Sequence, residues 1–337
     1  DPADPGDRAS SEAGAAEVPP AELPAPARPD EGLQSASIQP NTPASGASAT
    51  AETESTPPIQ VFCFGTPRVL CRGQQVWPTL AGEAKPWELL LYLACQPAQG
   101  VGRERLAEAL WPDAAEDFDV THRIRQLRYR LRQAYEPIPG APASEGICLE
   151  RTGAVYLDQQ IVYSDAQEFL ELTRLARIHP GPENIPGLER AQALYDADLL
   201  DAPDARRYPW VDERDESGVT LREHFRRRFQ QAMLTLAELY DQTERLDAAI
   251  GTYRVLTQLD PFDDRLWCAL FRLHARRQDA PSLIREERHM RALLRELAEG
   301  DEDLTQAASY EPSRETQLEF QRLLASLERT EPAASAG

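Results

Sequence analysis

The change of hydrophobic period along residues 59–158 constrains the fold most strongly. From Ile59 the sequence IQVFCFGTPRVLCRGQQVWP alternates short β-rich runs with glycine-containing turn signals, which predicts a small antiparallel meander. From Lys85 the apolar spacing becomes helical in three successive segments. Two strand-like segments follow, GICLERTG and AVYLD, and they meet at Thr152-Gly153 as the two strands of a hairpin would.

Proline and aspartate residues mark the ends of the three predicted helices. The first, in KPWELLLYLACQP, begins near Pro86 and ends before Pro97, and the second, in GRERLAEALWPD, ends at Pro112. The third, in DFDVTHRIRQLRYRLRQAY, has Asp117 or Asp119 as its N-cap. A sheet, three helices and a hairpin, in this order, predict a winged helix-turn-helix. The apolar positions expected on one face of the first helix are Trp87, Leu90, Leu91 and Ala94.

The sequence after Tyr163 is helical in pattern as far as Leu327. One stretch has tetratricopeptide spacing when Pro261 is taken as the last position of a 34-residue unit. A second unit begins in register and then departs from the pattern, and an ordinary helical bundle is the alternative. The packing positions are Met233, Leu236, Ala237, Tyr240, Ala249, Tyr253 and Leu256 in the first unit, then Trp267 and Leu270 in the second, whose departures are Ser282 and Glu286.

These patterns predict a mainly α protein with a small α+β part: a winged helix-turn-helix with an N-terminal antiparallel sheet, three helices and a C-terminal hairpin, followed by an all-α tetratricopeptide-like domain. Residues 1–58 carry ten acids, two arginines and no aromatic residue, which predicts a disordered acidic linker. The expected domains are the winged helix at 59–160 and the helical domain at 161–328, with a disordered tail at 329–337.

Composition limits the compartment and the class of protein. Five cysteines without a CxxC pair, in a chain with enough apolar residues for a core, favour reduced thiols and a cytoplasmic location. No run of 18 apolar residues occurs, so we expect no membrane contact within this segment. The first residues contain neither an initiator Met nor an apolar signal core, so we expect a longer protein, in which an upstream membrane anchor is left open.

The third predicted helix concentrates positive charge. Residues 121–135 hold five arginines and no acid, within a chain of net charge −20. Four apolar residues form one arc of this helix, and polar residues with forked hydrogen-bonding groups lie opposite. Arginine and glutamine match the major-groove edges of guanine and adenine, so the pattern favours DNA binding. The apolar arc is Val120, Ile124, Leu127 and Leu131, and the opposite face is His122, Arg125, Gln126, Tyr129 and Gln133.

A second arginine-rich stretch in the same chain serves as a control. Residues 221–229, LREHFRRRF, are also cationic, but acids stand close by in the sequence. We therefore expect a solvated helix face there, neutralised by Glu213, Asp215, Glu216 and Glu223.

The balance of charge limits the expected affinity for DNA. Residues 59–158 contain 11 basic and 12 acidic residues, so any positive potential in this region is local. We expect salt-sensitive, modest affinity and useful binding only when two or more copies occupy adjacent sites, as a dimer or in tandem.

Several strings resemble one family of bacterial regulators. RERLAEALWPD followed by RIRQLRYRLRQA is similar to the second and third helices of an OmpR-type winged helix. ALYDADLL, YPWVDERDESGVTLREHF, AAIGTYRVLTQLDPFDDRLWCALFRLHARRQD and YEPSRET are similar to parts of a bacterial transcriptional activation domain. Residues 59–328 thus resemble the bacterial transcriptional activator family typified by the Streptomyces antibiotic regulatory proteins.

The resemblance implies a sequence-specific DNA-binding regulator, expected to be an activator, whose recognition helix spans 119–135. Its helical domain would contact RNA polymerase or another regulator. No GxxxxGK[ST] string occurs, so the ATPase module of larger relatives is not expected, and we expect no cofactor. The groove-facing residues would be Thr121, His122, Arg125, Gln126, Tyr129 and Arg132, and the phosphate and wing contacts would be Arg103, Arg123, Arg128, Arg151 and Thr152.

Two other functions compete with this hypothesis. An enzyme is disfavoured because the five histidines are scattered and neither HExxH nor GxSxG occurs. A protein-interaction scaffold, in which the winged helix does not bind DNA, stays open as the alternative.

Overall fold

The computed structural model describes residues 57–77, 84–114, 119–135, 147–201, 208–300 and 311–330. These residues form a small mixed part and a larger helical part, in agreement with the predicted fold class. The predicted linker up to residue 56 and the tail from residue 331 lie outside the described residues. None of the helices in the described ranges combines the length and the hydropathy that a membrane crossing requires.

Three strands form the predicted meander. Strand β1 (Ile59–Phe62) pairs antiparallel with β2 (Arg68–Cys71), and β2 pairs antiparallel with β3 (Gln74–Trp77). The turn between β2 and β3 places Arg72 and Gly73 at φ angles of 51° and 79°. Two consecutive residues with positive φ match the right-handed twist of a hairpin, so the Arg-Gly pair ends the strand as the sequence predicts.

Helix α1 (Ala84–Ala94) is buried more completely than its sequence pattern indicates. Trp87, Leu90 and Leu91 face the core as predicted, but Leu89 and Leu93 on the other side are also at most 1% exposed. The helical part of the chain covers this second side, where Trp210 packs edge-on against Tyr92 with ring centroids 5.0 Å apart. The run of apolar residues from Leu89 to Ala94 therefore reflects burial on both faces of the helix.

The next two helices lie in the predicted positions. Helix α2 (Arg103–Leu110) follows a two-residue strand, β4 (Val101–Gly102), and helix α3 (Val120–Tyr135) packs against α1. The carboxylate of Asp119 accepts a hydrogen bond of 2.9 Å from the backbone N–H of His122. Asp119 therefore supplies the N-terminal cap of α3. The other candidate, Asp117, lies outside the described residues.

The predicted hairpin is present and has a third strand. Strand β5 (Cys148–Arg151) pairs antiparallel with β6 (Ala154–Leu157), and β4 pairs with the other edge of β6. The turn residues Thr152 and Gly153 have φ angles of 51° and 82°. The sequence pattern missed β4 because a strand of two residues is too short to show a period of its own.

A parallel strand joins the N-terminal sheet to the helical part. Strand β7 (Val162–Ser164) pairs parallel with β1, which gives the sheet order β3-β2-β1-β7. The predicted domain boundary at residue 160 falls just before this strand. Because β7 leads directly into helix α4 (Asp165–Ile178), the sheet fixes where the helical part begins.

Buried polar contacts reinforce this junction. Both carboxylate oxygens of Asp165 accept from the backbone N–H of Cys63, at 2.8 and 3.0 Å, and further bonds come from Phe64 and Ala166 at 3.3 and 2.7 Å. The Ser164 hydroxyl donates to the carbonyl of Ala94 at 2.8 Å. Side chains at the start of α4 are therefore hydrogen-bonded to backbone groups at the end of β1 and at the end of α1. They satisfy polar backbone groups that would otherwise be buried without these bonds.

The rest of the described chain is helical and packs largely in sequence order. Helix α7 (Leu221–Gln242) lies against α8 (Leu246–Leu259), and α8 lies against α9 (Asp264–Arg276). Helix α9 also contacts α10 (Ala280–Gly300) and α11 (Arg314–Thr330). All the packing positions predicted for the two repeat units are buried. Helices α5 (Ile185–Leu194) and α6 (Pro209–Asp212) precede them in the chain.

A polar cluster occupies the place where the second unit departs from the repeat pattern. Glu286 is only 5% exposed, accepts a 2.7 Å hydrogen bond from Nε of Arg254, and lies 3.5 Å from Nε2 of His274. Burial alone would raise the pKa of Glu286, but the hydrogen bond from Arg254 and the nearby His274 ring lower it. Ser282, also buried, accepts from Arg285 at 2.6 Å. An ion pair between Arg254 and Glu286 therefore links α8 to α10, with His274 of α9 beside it, where a repeat would place small and aromatic side chains.

We predict that Asp165→Ala lowers the free energy of unfolding by about 3 kcal/mol, because it leaves buried backbone N–H groups without an acceptor. Urea unfolding followed by circular dichroism measures this value. The matched control is Asp196→Ala, at an exposed aspartate, which we expect to change stability by less than about 0.5 kcal/mol. A loss below about 1 kcal/mol for Asp165→Ala would contradict the role of this carboxylate.

We also predict a characteristic pH dependence from the same carboxyl group. Burial raises the pKa of Asp165 from 3.8 to about 6, because the backbone donors offset only part of the lost hydration. Between these values the folded state binds more protons than the unfolded state, so the part of the stability that depends on this proton is present at low pH and is lost as the pH rises through about 6, while the bonds from the backbone N–H groups remain. The free energy of unfolding of the native protein minus that of Asp165→Asn should therefore decrease as the pH rises from about 5 to about 7. A difference that is constant or grows over this range refutes the raised pKa.

The turn between β5 and β6 gives a third prediction. Thr152 is β-branched and has a φ angle of 51°, a conformation that costs a residue of this type about 1 kcal/mol or more. Thr152→Asn should raise the melting temperature, because asparagine followed by glycine is favoured in this turn. The control is Thr152→Val, which keeps the β-branch and should give no gain. Equal melting temperatures for the two variants would show that the turn is not strained.

Candidate nucleic-acid interface

Helix α3 buries the apolar arc that the sequence predicts and exposes the opposite side. Ile124, Leu127 and Leu131 are 2%, 6% and 1% exposed, and Val120 is partly buried against the same core. The side chain of Tyr129 on the opposite face is 58% exposed. His122, Arg125 and Arg132 are also exposed, whereas Thr121 and Gln126 are half-buried.

Hydrogen bonds order the polar side chains along this exposed face. The amide of Gln126 lies 2.8 Å from Nε2 of His122, one helical turn earlier. One turn further on, the amide of Gln133 donates to the hydroxyl of Tyr129 at 3.0 Å. Contacts between residues four apart limit side-chain freedom, so the face is partly preorganised.

Three arginines of α3 keep their positive charge unpaired within the described ranges. Arg125, Arg130 and Arg132 form no ion pair with any described aspartate or glutamate. Arg123 lies 3.5 Å from the side-chain oxygen of Gln126, in addition to other contacts. Guanidinium groups without a carboxylate partner leave a local positive potential on a chain that is acidic overall.

The control stretch in α7 behaves differently. Arg222 pairs with Asp212 at 3.0 Å, and Arg226 pairs with Asp198. Arg228 is held by the hydroxyl of Thr173 at 2.8 Å. The two arginine-rich stretches therefore differ in charge pairing, as expected, although the acids that pair with the second stretch are not the predicted ones. Glu213, Asp215, Glu216 and Glu223 form no ion pair with these arginines within the described chain.

The wing places two of the predicted contact residues at its tip. Arg151 ends β5 and Thr152 occupies the turn, and both are exposed. The hydroxyl of Thr152 donates to the carbonyl of Arg151 at 2.7 Å. Burial raises the pKa of Cys148, at the start of β5, to about 12, while Arg128 of α3 acts in the opposite direction.

Arg103 is engaged within the protein. This residue, at the first turn of α2, forms an ion pair with Glu150 of β5. Its side chain is 38% exposed, so part of it still faces solvent. The pair connects α2 to the wing, and sequence reasoning missed it because Glu150 lies 47 residues away along the chain.

A second missed contact supports the other end of α2. The ammonium group of Lys85 donates to the carbonyl of Leu110 at 2.6 Å and pairs with Glu88 at 2.8 Å. Glu88 in turn accepts a hydrogen bond of 3.3 Å from the indole of Trp210. Lys85 is the only lysine among the 36 lysine and arginine residues of the chain. This is the one feature of the sequence that could have drawn attention to its position.

The described residues contain no group of three or more histidine, cysteine, aspartate or glutamate side chains placed to hold a metal ion. All five cysteines are free, and four of them are buried. What the interface offers is therefore a cationic, hydrogen-bonding surface rather than a cluster of reactive groups.

Comparison with solved structures finds a similarity of fold. No protein-family model matches the chain, and no curated protein sequence is similar to it. The structure is similar to that of Mycobacterium tuberculosis EmbR, solved in complex with a low-affinity phosphopeptide, with 16% sequence identity and a TM-score of 0.51. The similarity covers 82% of this chain, which spans 66% of the EmbR chain. At this identity the likeness concerns the fold, and it shows that this chain folds as a winged helix followed by a helical domain, as EmbR does.

Proposed function

We propose that this protein is a sequence-specific DNA-binding regulator of transcription that inserts α3 into the major groove. The observation that carries the proposal is the exposed face of α3, where Arg125 and Arg132 have no acidic partner in the described chain, while the opposite face is buried in the core. In winged-helix proteins the third helix is the one that reads DNA. The fold likeness to EmbR, a regulator of the Streptomyces antibiotic regulatory type, supports the same class.

The proposed contacts divide into base contacts and phosphate contacts. Arg125 and Arg132 can form forked hydrogen bonds with guanine, and Gln126 can do so with adenine. Arginines at the flanks of the helix and at the wing tip neutralise phosphates and fix the register of the protein on DNA. The base contacts are Thr121, His122, Arg125, Gln126, Tyr129 and Arg132, and the phosphate contacts are Arg123, Arg128, Arg151 and Thr152.

Arg103 takes a shared role in this proposal. Its pair with Glu150 holds the wing against the first turn of α2. A guanidinium group has five N–H donors, so donors not used by Glu150 are available for a phosphate. Arg103 therefore both positions the wing and contributes a phosphate contact.

The helical part is proposed as a surface for protein partners. We assign the winged helix to residues 59–160 and the partner-binding domain to residues 161–328, which would contact RNA polymerase or another regulator as an activator does. Residues 59–158 carry 11 basic and 12 acidic residues, so a single copy should hold DNA weakly. Binding of two copies, as a dimer or in tandem, supplies the missing affinity.

We predict that Arg125→Ala combined with Arg132→Ala weakens duplex binding by at least about tenfold, because each forked base contact contributes about 1–3 kcal/mol. Fluorescence anisotropy against a promoter-derived duplex and a random duplex measures the change. The native protein should lose affinity steeply as salt increases, because phosphate contacts release counterions.

The matched control is Arg227→Ala, at an exposed arginine of α7 that pairs with no described acid. We expect its affinity for DNA to stay within about twofold of the native value, because its position lies outside the proposed interface. An equal loss in Arg227→Ala would show that charge alone matters and would remove α3 from its assigned role. Absence of salt-sensitive binding even to long duplexes at low salt would favour the alternative, a protein-interaction scaffold.

A further inference from the structure

A large cleft lies where the winged helix meets the helical part. Its volume is about 1440 Å³, above the usual range of roughly 300–1,000 Å³ for small-molecule sites. One wall comes from α2 and the turn after the wing, and the other from α4, the first half of α7 and the loop at 213–220. None of the residues proposed to contact DNA lines this cleft, so its role lies outside the proposed function.

Three arginines line one side of the cleft. Arg174 and Arg177 come from α4, and Arg228 comes from α7. Glu171 neutralises Arg174 through two bonds of 2.7 and 2.8 Å. Arg177 is exposed and forms no ion pair with an acid in the described chain. This side of the cleft therefore has about two positive charges in excess, the charge that a phosphate ester dianion complements.

Arg228 is the fixed member of the three. It is half-buried, its Nε donates to the Thr173 hydroxyl at 2.8 Å, and its Nη2 donates to the carbonyl of Leu170 at 3.3 Å. These partners are neutral, so they orient the guanidinium group and leave its charge in place. Burial lowers the pKa of Arg228, the neighbouring charges of Arg177 and Arg174 lower it further, and Glu171 offsets part of this effect. Holding like charges together at a half-buried site is unfavourable unless an anion offsets them.

The remaining walls of the cleft restrict the size of that anion. Glutamines and carboxylates dominate the lining near α2 and the 213–220 loop, together with Arg105 and Arg214. An acidic rim repels a long polyanion such as a duplex, but its oxygens can accept hydrogen bonds from hydroxyl or amino groups of a small molecule. The acidic residues in question are Glu104, Glu108, Glu213, Asp215 and Glu216.

We propose that this cleft binds a small phosphate-bearing molecule. Arg174, Arg177 and Arg228 hold the phosphate, because planar guanidinium groups match its oxygens with paired hydrogen bonds. The glutamines and carboxylates of the opposite wall accept from the hydroxyl or amino groups of the rest of the ligand. Since the two walls belong to the winged helix and to the helical part, the bound molecule bridges them.

The test is isothermal titration calorimetry of the full chain with inorganic phosphate, inorganic pyrophosphate and ATP. We expect pyrophosphate to bind, and ATP to bind more tightly because the opposite wall accepts hydrogen bonds from its hydroxyl and amino groups. Arg174→Gln combined with Arg177→Gln should weaken pyrophosphate binding by at least about tenfold, because two charge-assisted contacts are lost. Arg228 is left unchanged because it also joins α7 to α4.

The control variant is Arg295→Gln, at an exposed arginine of α10 that pairs with no described acid and lies outside the cleft lining. Its affinity for pyrophosphate should stay within about twofold of the native value, because salt screens the effect of a single charge that lies far from the site. The proposal is overturned if none of the three ligands binds, if Arg295→Gln loses as much affinity as the double variant, or if duplex DNA displaces pyrophosphate. The last outcome would assign these arginines to flanking DNA. Pyrophosphate binding without any duplex binding would refute the proposed function and leave the cleft site standing.

Discussion

The carboxylate of Asp165 holds together the two parts on which the rest of the structure depends. It occupies the first position of α4 and accepts hydrogen bonds from backbone N–H groups at the end of β1, more than 100 residues earlier. Strand β7, immediately before it, extends the N-terminal sheet in parallel. Without these bonds, buried backbone donors at the end of β1 would have no partner, which is a large penalty in a nonpolar environment. The winged helix and the helical part therefore share a core at this junction.

This junction also explains the unusual burial of α1. A winged helix standing alone would leave one side of its first helix to solvent. Here the aromatic rings of Trp210 and Tyr92, and the hydrogen bond from Trp210 to Glu88, close that side. Lys85 pairs with Glu88 and donates to the carbonyl of Leu110, so it connects α1 to the end of α2. The helix that carries the proposed interface, α3, packs on α1, and α1 is itself buried on two faces.

Charge pairing separates the two arginine-rich helices more clearly than composition does. In α7, Arg222 and Arg226 have carboxylate partners, so these cations serve packing and solubility. In α3, Arg125 and Arg132 have none within the described chain, and the nearest ordering contacts are between neutral side chains. The cleft arginines show a third arrangement, in which Arg228 is oriented by neutral partners and keeps its charge. Local environment, rather than the number of arginines, distinguishes the structural cations from those that we propose to face a ligand.

Much of this architecture was determined by the sequence by itself. Alternation, helical period and turn glycines act over a few residues, so they fixed the meander, the three helices, the wing turn at Thr152-Gly153 and the apolar arc of α3. Tertiary structure decided what depends on residues far apart: the cap between Asp165 and Cys63, the pair between Arg103 and Glu150, the second buried face of α1, and the acids that neutralise α7. The physical reason is range, because a hydrogen bond or ion pair across 100 residues depends on how elements pack and leaves no periodic trace in the chain. The same holds for the cleft, whose arginines come from two helices that only the fold brings together.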